Sequence, residues 1–320
     1  MNYDIIGDIH GHADALTALL KVLGYEERGG LWRHSERTAV FVGDFIDRGP
    51  KQLEVISIVR PMVEEQTAVA VMGNHELNAI AWYLHHPRSS RTHLRTHTGK
   101  RGMRNFRQHR AFIDAVSSRP GLHKNIVDWF LTLPLWLDLD EIRAVHACWH
   151  SGFIDFLQPK LLAGNRLSED LMVHACREPK REALKDNAEP SIFKAVEVLT
   201  KGLETPLPAS HSFVDKDEQV RKRIRLAWWN DAATTLGDAS LPYPKRDEAW
   251  SECAIPAHCR IGYTESKPVF FGHYWLQGNP TQQSDKVACL DYSIAKGGKL
   301  CAYRWNHGDA KIGQEGFTWI

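Results

Sequence analysis

The sequence predicts an α/β fold in which parallel strands carry their chemistry at one edge of a sheet. Two observations predict it. Three short apolar or β-branched runs, Tyr3 to Ile6, Thr38 to Val42 and Thr67 to Met72, each end at a glycine: Gly7, Gly43 and Gly73. The segments between them carry helical periodicity.

The first run reads as a buried strand. Leu16, Leu19, Leu20 and Leu23 then recur at helical spacing before Gly24, a C-terminal stop. Leu53, Ile56 and Val59 repeat the pattern after the second run, and Pro61 is expected to close that helix. Right-handed crossovers make the three strands parallel neighbours, which brings all three glycine loops to the carboxyl edge, where ligand sites form in such sheets. Further strand signals stand at Ile142 to Val145, Pro268 to Phe271, Val287 to Leu290 and Lys299 to Tyr303, the last two expected to join through Gly297-Gly298. They predict a second sheet. An Arg/His-rich stretch from Arg88 to Arg110 and a charged, helix-like region from about Leu161 to Leu203 read as insertions, and no repeat, low-complexity tract or Gly/Ser linker supports a domain cut.

Composition narrows the class. With 43% hydrophobic and 25% charged residues in 320, the chain is of ordinary globular type, neither disordered nor collagenous. Forty Lys and Arg against 39 Asp and Glu give a net charge of +1, so attraction for anions must come from local clusters. Six cysteines without a CxxC pair fit a reducing compartment. The N-terminus lacks a basic start followed by a long apolar stretch, and no run approaches the roughly 18 apolar residues of a membrane helix. The expectation is a cytoplasmic protein with no membrane partner.

Each glycine loop places a metal-type ligand one residue beyond its glycine: Gly7-Asp8-Ile9-His10, Gly43-Asp44 with Asp47-Arg48 following, and Gly73-Asn74-His75-Glu76. His146 and His273 follow strand-like runs in the same manner. One such loop alone reads as a turn, but three in order at the ends of parallel strands do not arise from turn chemistry, which scatters its Asp, Asn and Gly. Carboxylate, imidazole and amide oxygen together suit Mn²⁺, Fe²⁺ or Zn²⁺.

In order and spacing these motifs resemble the calcineurin-like metallophosphoesterases, and within them the PPP group of phosphatases and diadenosine tetraphosphatases. The likeness covers residues 3 to about 78, returns at Ala144-Val145-His146-Ala147 and Phe271-Gly272-His273, and ends in Asp291 through Leu300. It implies the metallophosphoesterase fold, two packed mixed β-sheets flanked by helices in a four-layer sandwich. It also implies one catalytic domain over residues 1–320 with insertions at about 79–125 and 155–265. By the same resemblance Asp8, His10 and Asp44 hold one ion, and Asp44, Asn74, His146 and His273 hold a second, with Mn²⁺ expected at both. Two cations roughly 3.5 to 4 Å apart would activate a bridging hydroxide for in-line attack on phosphorus. His75 is then the general acid, Asp47 the carboxylate that orients it, and Arg48 the phosphate clamp.

Family context selects His146 over His150 and His273 over His258. Ala147-Cys148-Trp149 departs from the two glycines of eukaryotic members, and Arg225 and Arg260 are both candidates for a second clamping arginine. Asp47 is implied to favour phosphomonoester chemistry, because the symmetrical diadenosine tetraphosphatases typically lack it.

Between Glu76 and Asp114 no acidic residue occurs, while arginines stand at 88, 91, 95, 101, 104, 107 and 110. Arg88, Arg91 and Arg95 are expected on one helical face, as are Arg101 and Arg104. The segment reads either as a solvated basic loop or as a clamp for a phosphopeptide, a nucleotide, a polyphosphate or nucleic-acid phosphates. The expected function is hydrolysis of a phosphomonoester on protein or a small molecule. The alternatives are a pyrophosphohydrolase of dinucleoside polyphosphates or capped RNA ends, and a non-catalytic anion-binding module.

Overall fold

The structure is a computed structural model that describes residues 1–181, 183–209, 211–214, 220–241 and 250–320. Its two main sheets are built from β1 (Asn2–Ile6), β2 (Arg37–Phe41), β3 (Ala68–Ala70), β4 (Trp136–Asp138), β5 (Arg143–Val145), β6 (Val269–Phe271), β7 (Val287–Cys289), β8 (Asp291–Tyr292), β9 (Lys299–Trp305) and β10 (Phe317–Trp319). The first sheet runs β8-β9-β1-β2-β3, with β10 paired to β9. Its β1, β2 and β3 are parallel, as the crossover argument requires, and β9 returns antiparallel on β1. The second sheet runs β7-β6-β5-β4, parallel except for β4.

Alternation along the strands sorts the core into layers. Tyr3, Ile5, Val40 and Val42 from the first sheet meet Ile142, Ala144, Phe270 and Ala288 from the second in one buried cluster between the sheets. The opposite faces are covered by helices. Leu16, Leu19 and Leu20 of α1 (Ala13–Val22) and Val55, Val59 and Met62 of α2 (Gln52–Glu64) pack with Ile6, Phe41 and Ala70. Ala195, Val196 and Leu199 of the helix Ile192–Lys201 share a cluster with Val269, Phe271 and Cys289 of the second sheet. This is the predicted sandwich of two mixed sheets between helices. Among the described residues no helix is long and apolar enough to cross a membrane.

Three expectations are corrected. Pro61 lies inside α2, which runs on to Glu64. A proline in the last turn forfeits a single helical hydrogen bond, and the buried Met62 behind it holds the turn in place. The runs at 287–290 and 299–303 do not pair with each other. β7 belongs to the second sheet, and one residue later β8 joins the first and pairs with β9, so the chain changes sheets at Leu290. Gly7 sits against this crossing, where a Cβ would strike the Leu290 carbonyl.

The third correction concerns Arg88, Arg91 and Arg95, none of which is helical. α3 (Asn74–Tyr83) ends before Pro87, and Ser89–His93 pairs back on His85–His86 as a short hairpin. Proline disfavours helix in the residue before it, and the Ser and Thr that follow suit an extended strand. Helix resumes with α4 (Gly99–Val116), which carries Arg101 and Arg104, and α5 (Pro120–Phe130) follows.

One buried ion network fastens the central strands. The Asp4 carboxylate, fully buried on β1, receives the Arg37 Nε of β2 at 3.0 Å to both oxygens and the Arg304 Nε of β9 at 3.0 Å. Arg37 also donates to the Tyr3 and Trp305 carbonyls, both at 2.7 Å. Removing one partner of a buried pair strands the other charge, so Arg37→Leu is expected to cost about 3 kcal/mol. Urea denaturation measures it, and a loss below ~1 kcal/mol would mean that Arg304 alone satisfies Asp4.

Candidate metal centre

The loops that leave β1 and β2 interlock through their backbones. Ile9 and His10 N–H both donate to the Asp44 carbonyl, Gly11 N–H to Phe45, and Gly49 N–H to His10. Among the described residues nine non-glycine residues have positive φ, and His10, Asp44, Asp47, Arg48 and His273 are five of them. A left-handed backbone at such residues is uncommon and costs energy, and it clusters where geometry is dictated by function. Glycines give the close approach: a Cβ on Gly272 would strike Asp8 Oδ1, and one on Gly73 would strike Asp44.

Asp44 stands between two groups of side chains. His10, Asp44 and His75 bring ligand-type atoms within 4.8 Å of one another, as do Asp44, His146 and His273. The Asp44 Oδ2 lies 3.6 Å from His10 Nε2 and 3.9 Å from His75 Nε2, while Oδ1 lies 3.4 Å from His146 Nε2. Asn74 Oδ1 is 3.1 Å from the same His146 nitrogen. Asp8 Oδ2 is 4.0 Å from His10 Nε2 and accepts the His273 N–H at 3.0 Å. All six candidate ligands are therefore drawn to one spot, with His75 beside them. His150 is not: its ring accepts the Phe153 N–H and caps the helix Ser151–Leu157. His258 lines the cavity described below but joins neither group.

The imidazoles are aimed by their second nitrogens. His10 Nδ1 donates to the Ile46 carbonyl at 3.0 Å and His146 Nδ1 to the Val42 carbonyl at 2.7 Å, which turns each Nε2 inward, that of His10 without a hydrogen-bond partner among the described residues and that of His146 onto Asn74 Oδ1. Burial pushes His10 down to about 4, and burial together with the Arg225 charge holds His273 well below its ordinary value, so both rings are neutral. Burial also opposes ionisation of Asp44, but His146, His75 and His10 outweigh it and keep the carboxyl well below the usual range. Asp8 goes the other way, raised by burial and then by Asp291 and Asp44.

Asp8 Oδ1, His10 Nε2 and both His273 ring nitrogens are buried and have no hydrogen-bond partner among the described residues. Buried polar atoms are normally paired, and an orphaned set of oxygen and imidazole donors around a shared carboxylate fits divalent metal ions.

His75 is tied to Asp47 by a 2.6 Å contact from Nδ1 to Oδ2. Burial works against its charged form, yet Asp44 and then Asp47 outweigh it and raise its pKa. These groups open on a cavity of about 1790 Å³ whose wall includes Arg48, Arg95, Arg101, Arg104 and Arg225. Arg225 lies 5.7 Å from the Tyr274 ring centroid, beside His273, whereas Arg260 lines a separate pocket with Trp228 and Asp231. Arg88, Arg91, Arg107 and Arg110 are absent from the cavity wall, so the arginine segment divides between cavity and outer surface.

Sequence reasoning missed two groups. Glu76 accepts the Asp44, Phe45 and Gly73 N–H groups at 2.9 to 3.0 Å, and burial, then the Asp44 charge, pushes it up to about 7. Its position three residues after Gly73, where a capping-box carboxylate reaches back, was the available signal. His109 places Nδ1 2.7 Å from Asp47 Oδ2. Its signal was periodicity: Asn105, His109, Phe112 and Val116 form the buried face of α4.

The family model for calcineurin-like phosphoesterases matches residues 1–233. Among curated proteins, the asymmetrical bis(5'-nucleosyl)-tetraphosphatase PrpE of Halalkalibacterium halodurans is 51% identical over 76 residues, 23% of this chain and 31% of that protein. The protein of the same name from Bacillus subtilis is 50% identical over 85 residues, 26% of this chain and 34% of its own. The chain thus spans about a third of the length of these relatives. Among solved structures, a protein serine/threonine phosphatase from Saccharomyces cerevisiae aligns with a TM-score of 0.51 at 14% identity, covering 100% of this chain and 79% of that one. That likeness concerns the fold alone. The family match takes in most of the chain, including all three glycine loops and His146, and the chain belongs to the calcineurin-like phosphoesterases.

Proposed function

We propose that this chain hydrolyses phosphate esters at a centre of two divalent cations, Mn²⁺ by expectation, with His75 as general acid. The observation that carries the reading is the position of one imidazole between two carboxylates: His75 Nδ1 on Asp47 at 2.6 Å and Nε2 3.9 Å from the shared Asp44. When bound, the cations would lower the pKa of a water and neutralise phosphoryl oxygens. Asp8, His10 and Asp44 would hold one ion, and Asp44, Asn74, His146 and His273 the other. Asp47 fixes the proton on His75 Nδ1, so the protonated ring presents its Nε2–H to the cavity and can give it to a departing oxygen. Arg48, exposed at the cavity with its guanidinium 5.5 Å from the Trp275 ring centroid, offers a planar donor fork for the phosphoryl group.

The substrate this favours is a phosphomonoester, because an acid matters most where the leaving group is poor. A second reading, cleavage of a dinucleoside polyphosphate, rests on the cavity. Arg95, Arg101, Arg104 and Arg225 extend positive charge beyond the reach of a single phosphate, and the curated relatives are named as asymmetrical tetraphosphatases. Phosphopeptide, nucleotide and polyphosphate are the substrate classes in contention. Incubation with phosphopeptides, mononucleotides and dinucleoside polyphosphates, followed by product chromatography, decides: orthophosphate released together with dephosphorylated peptide or nucleoside, with the dinucleoside polyphosphates left intact, supports the monoesterase, and unequal nucleotide products support the second reading.

Asp44→Ala should lose bound metal and activity together, read by metal content and by turnover of p-nitrophenyl phosphate with Mn²⁺. His75→Ala should keep its metals and lose roughly 10²-fold or more on alkyl phosphates, far more than on activated aryl phosphates. Equal losses on both would remove the acid from the mechanism.

The pH dependence has a definite sign. The acid must be protonated, so kcat on a poor leaving group falls as pH rises through the raised pKa of His75. Asp47 helps to keep that proton on, and Asp47→Asn should shift the alkaline limb to lower pH. A pH profile of kcat in which the limb stays in place would contradict the pairing.

A further inference from the structure

We infer that His109 is a positioning residue: it holds Asp47 in the one orientation that lets this carboxylate meet His75. The inference rests on the general-acid reading above. His109 comes from α4, in the cationic segment, and is 1% exposed. Its Nδ1 lies 2.7 Å from Asp47 Oδ2, the same oxygen that lies 2.6 Å from His75 Nδ1. Asp47 is buried, and burial opposes its ionisation, but His109 and His75 outweigh this and hold it ionised. An ionised carboxylate only accepts, so both Nδ1 atoms carry protons.

The other oxygen, Oδ1, has no hydrogen-bond partner among the described residues. Side-chain orientation at Asp47 is therefore set by two imidazoles on one oxygen, on a backbone already in the left-handed region at φ 69°. Arg95 also interacts with Asp47, at longer range, and is itself bound to Asn78 and Gln108. Without His109, the single contact with His75 would be left to orient the carboxylate against that attraction. A ring that merely filled space against Phe112, 5.1 Å away, would have no reason to aim Nδ1 at a carboxylate.

Two variants separate the donor from the volume. His109→Phe keeps a ring and loses the donor; His109→Asn loses volume but keeps an N–H close to the Nδ1 position. With the Mn²⁺-loaded full chain, the ratio of kcat on 2,4-dinitrophenyl phosphate to kcat on an alkyl phosphate is expected to rise roughly tenfold in His109→Phe, and His109→Asn should restore most of it. In an Asp47→Asn background, His109→Phe should add nothing to the ratio. An alkyl phosphatase rate in His109→Phe equal to that of the unaltered chain overturns the inference. So does a His109→Asn ratio as high as that of His109→Phe. Failure of the underlying reading looks different: there, His75→Ala itself leaves the ratio where it was.

Discussion

A carboxylate taken out of water must be paired or neutralised, and this molecule gathers several of them around one point. Asp8, Asp44, Glu76 and Asp291 are all buried. Asp44 alone is kept ionised by its imidazoles, while burial, joined by neighbouring anions, raises Asp8, Glu76 and Asp291. The effective cost of desolvating each ion is several kcal/mol, and a cluster of like charges adds to it. Backbone donors offset part of that: three N–H groups on Glu76 and those of Trp275 and Ser293 on Asp291. What they leave unmet, the orphaned oxygen of Asp8 and the inward nitrogens of His10 and His273, calls for cations. Divalent cations at this point would complete the fold's own charge balance.

The same demand explains the strained backbone. Presenting His10, Asp44 and His273 to a common point from three strand ends puts each at positive φ, at a cost of order 1–3 kcal/mol apiece. The loops meet that cost collectively. The carbonyl of strained Asp44 accepts from the first loop, the carbonyl of strained His10 accepts from Gly49, and Glu76 clasps both the second and third loops. No loop holds its shape alone, which ties the geometry of the site to the parallel register of β1, β2 and β3.

What was legible in the sequence is what local chemistry controls. Strand, glycine, then ligand is a short-range pattern, and it located Asp8, Asp44 and Asn74 because a tight turn after a buried strand demands glycine where it stands. The sheet change at Leu290 left no such trace, since no glycine or proline marks the step from Cys289 through Leu290 to Asp291. Nor did the contact of His109 with Asp47, 62 residues apart in sequence: helical periodicity puts His109 on the buried face of α4 but cannot say what that face will meet. Arginine spacing suggests a helix at 88–95, but α3 ends before Pro87 and the chain turns back as the hairpin at 85–93. In each case the deciding term was tertiary contact or one backbone constraint.

α4 links these levels, because one helix supplies both the buried His109 that touches Asp47 and the exposed arginines of the cavity wall. The two kinds of contact differ in strength. Arg101 meets Glu178 at 2.6 Å with its side chain 61% exposed, and such pairs contribute at most about 1 kcal/mol. The buried pairing at Asp47 lies where screening is weak and loss is costly. On the proposed function, a ligand with several phosphates would therefore displace Glu178 from Arg101 at small cost while the carboxylate behind His75 stays fixed. Discrimination among phosphorylated substrates would then fall to the exposed wall, and the chemistry itself to the buried layer beneath it.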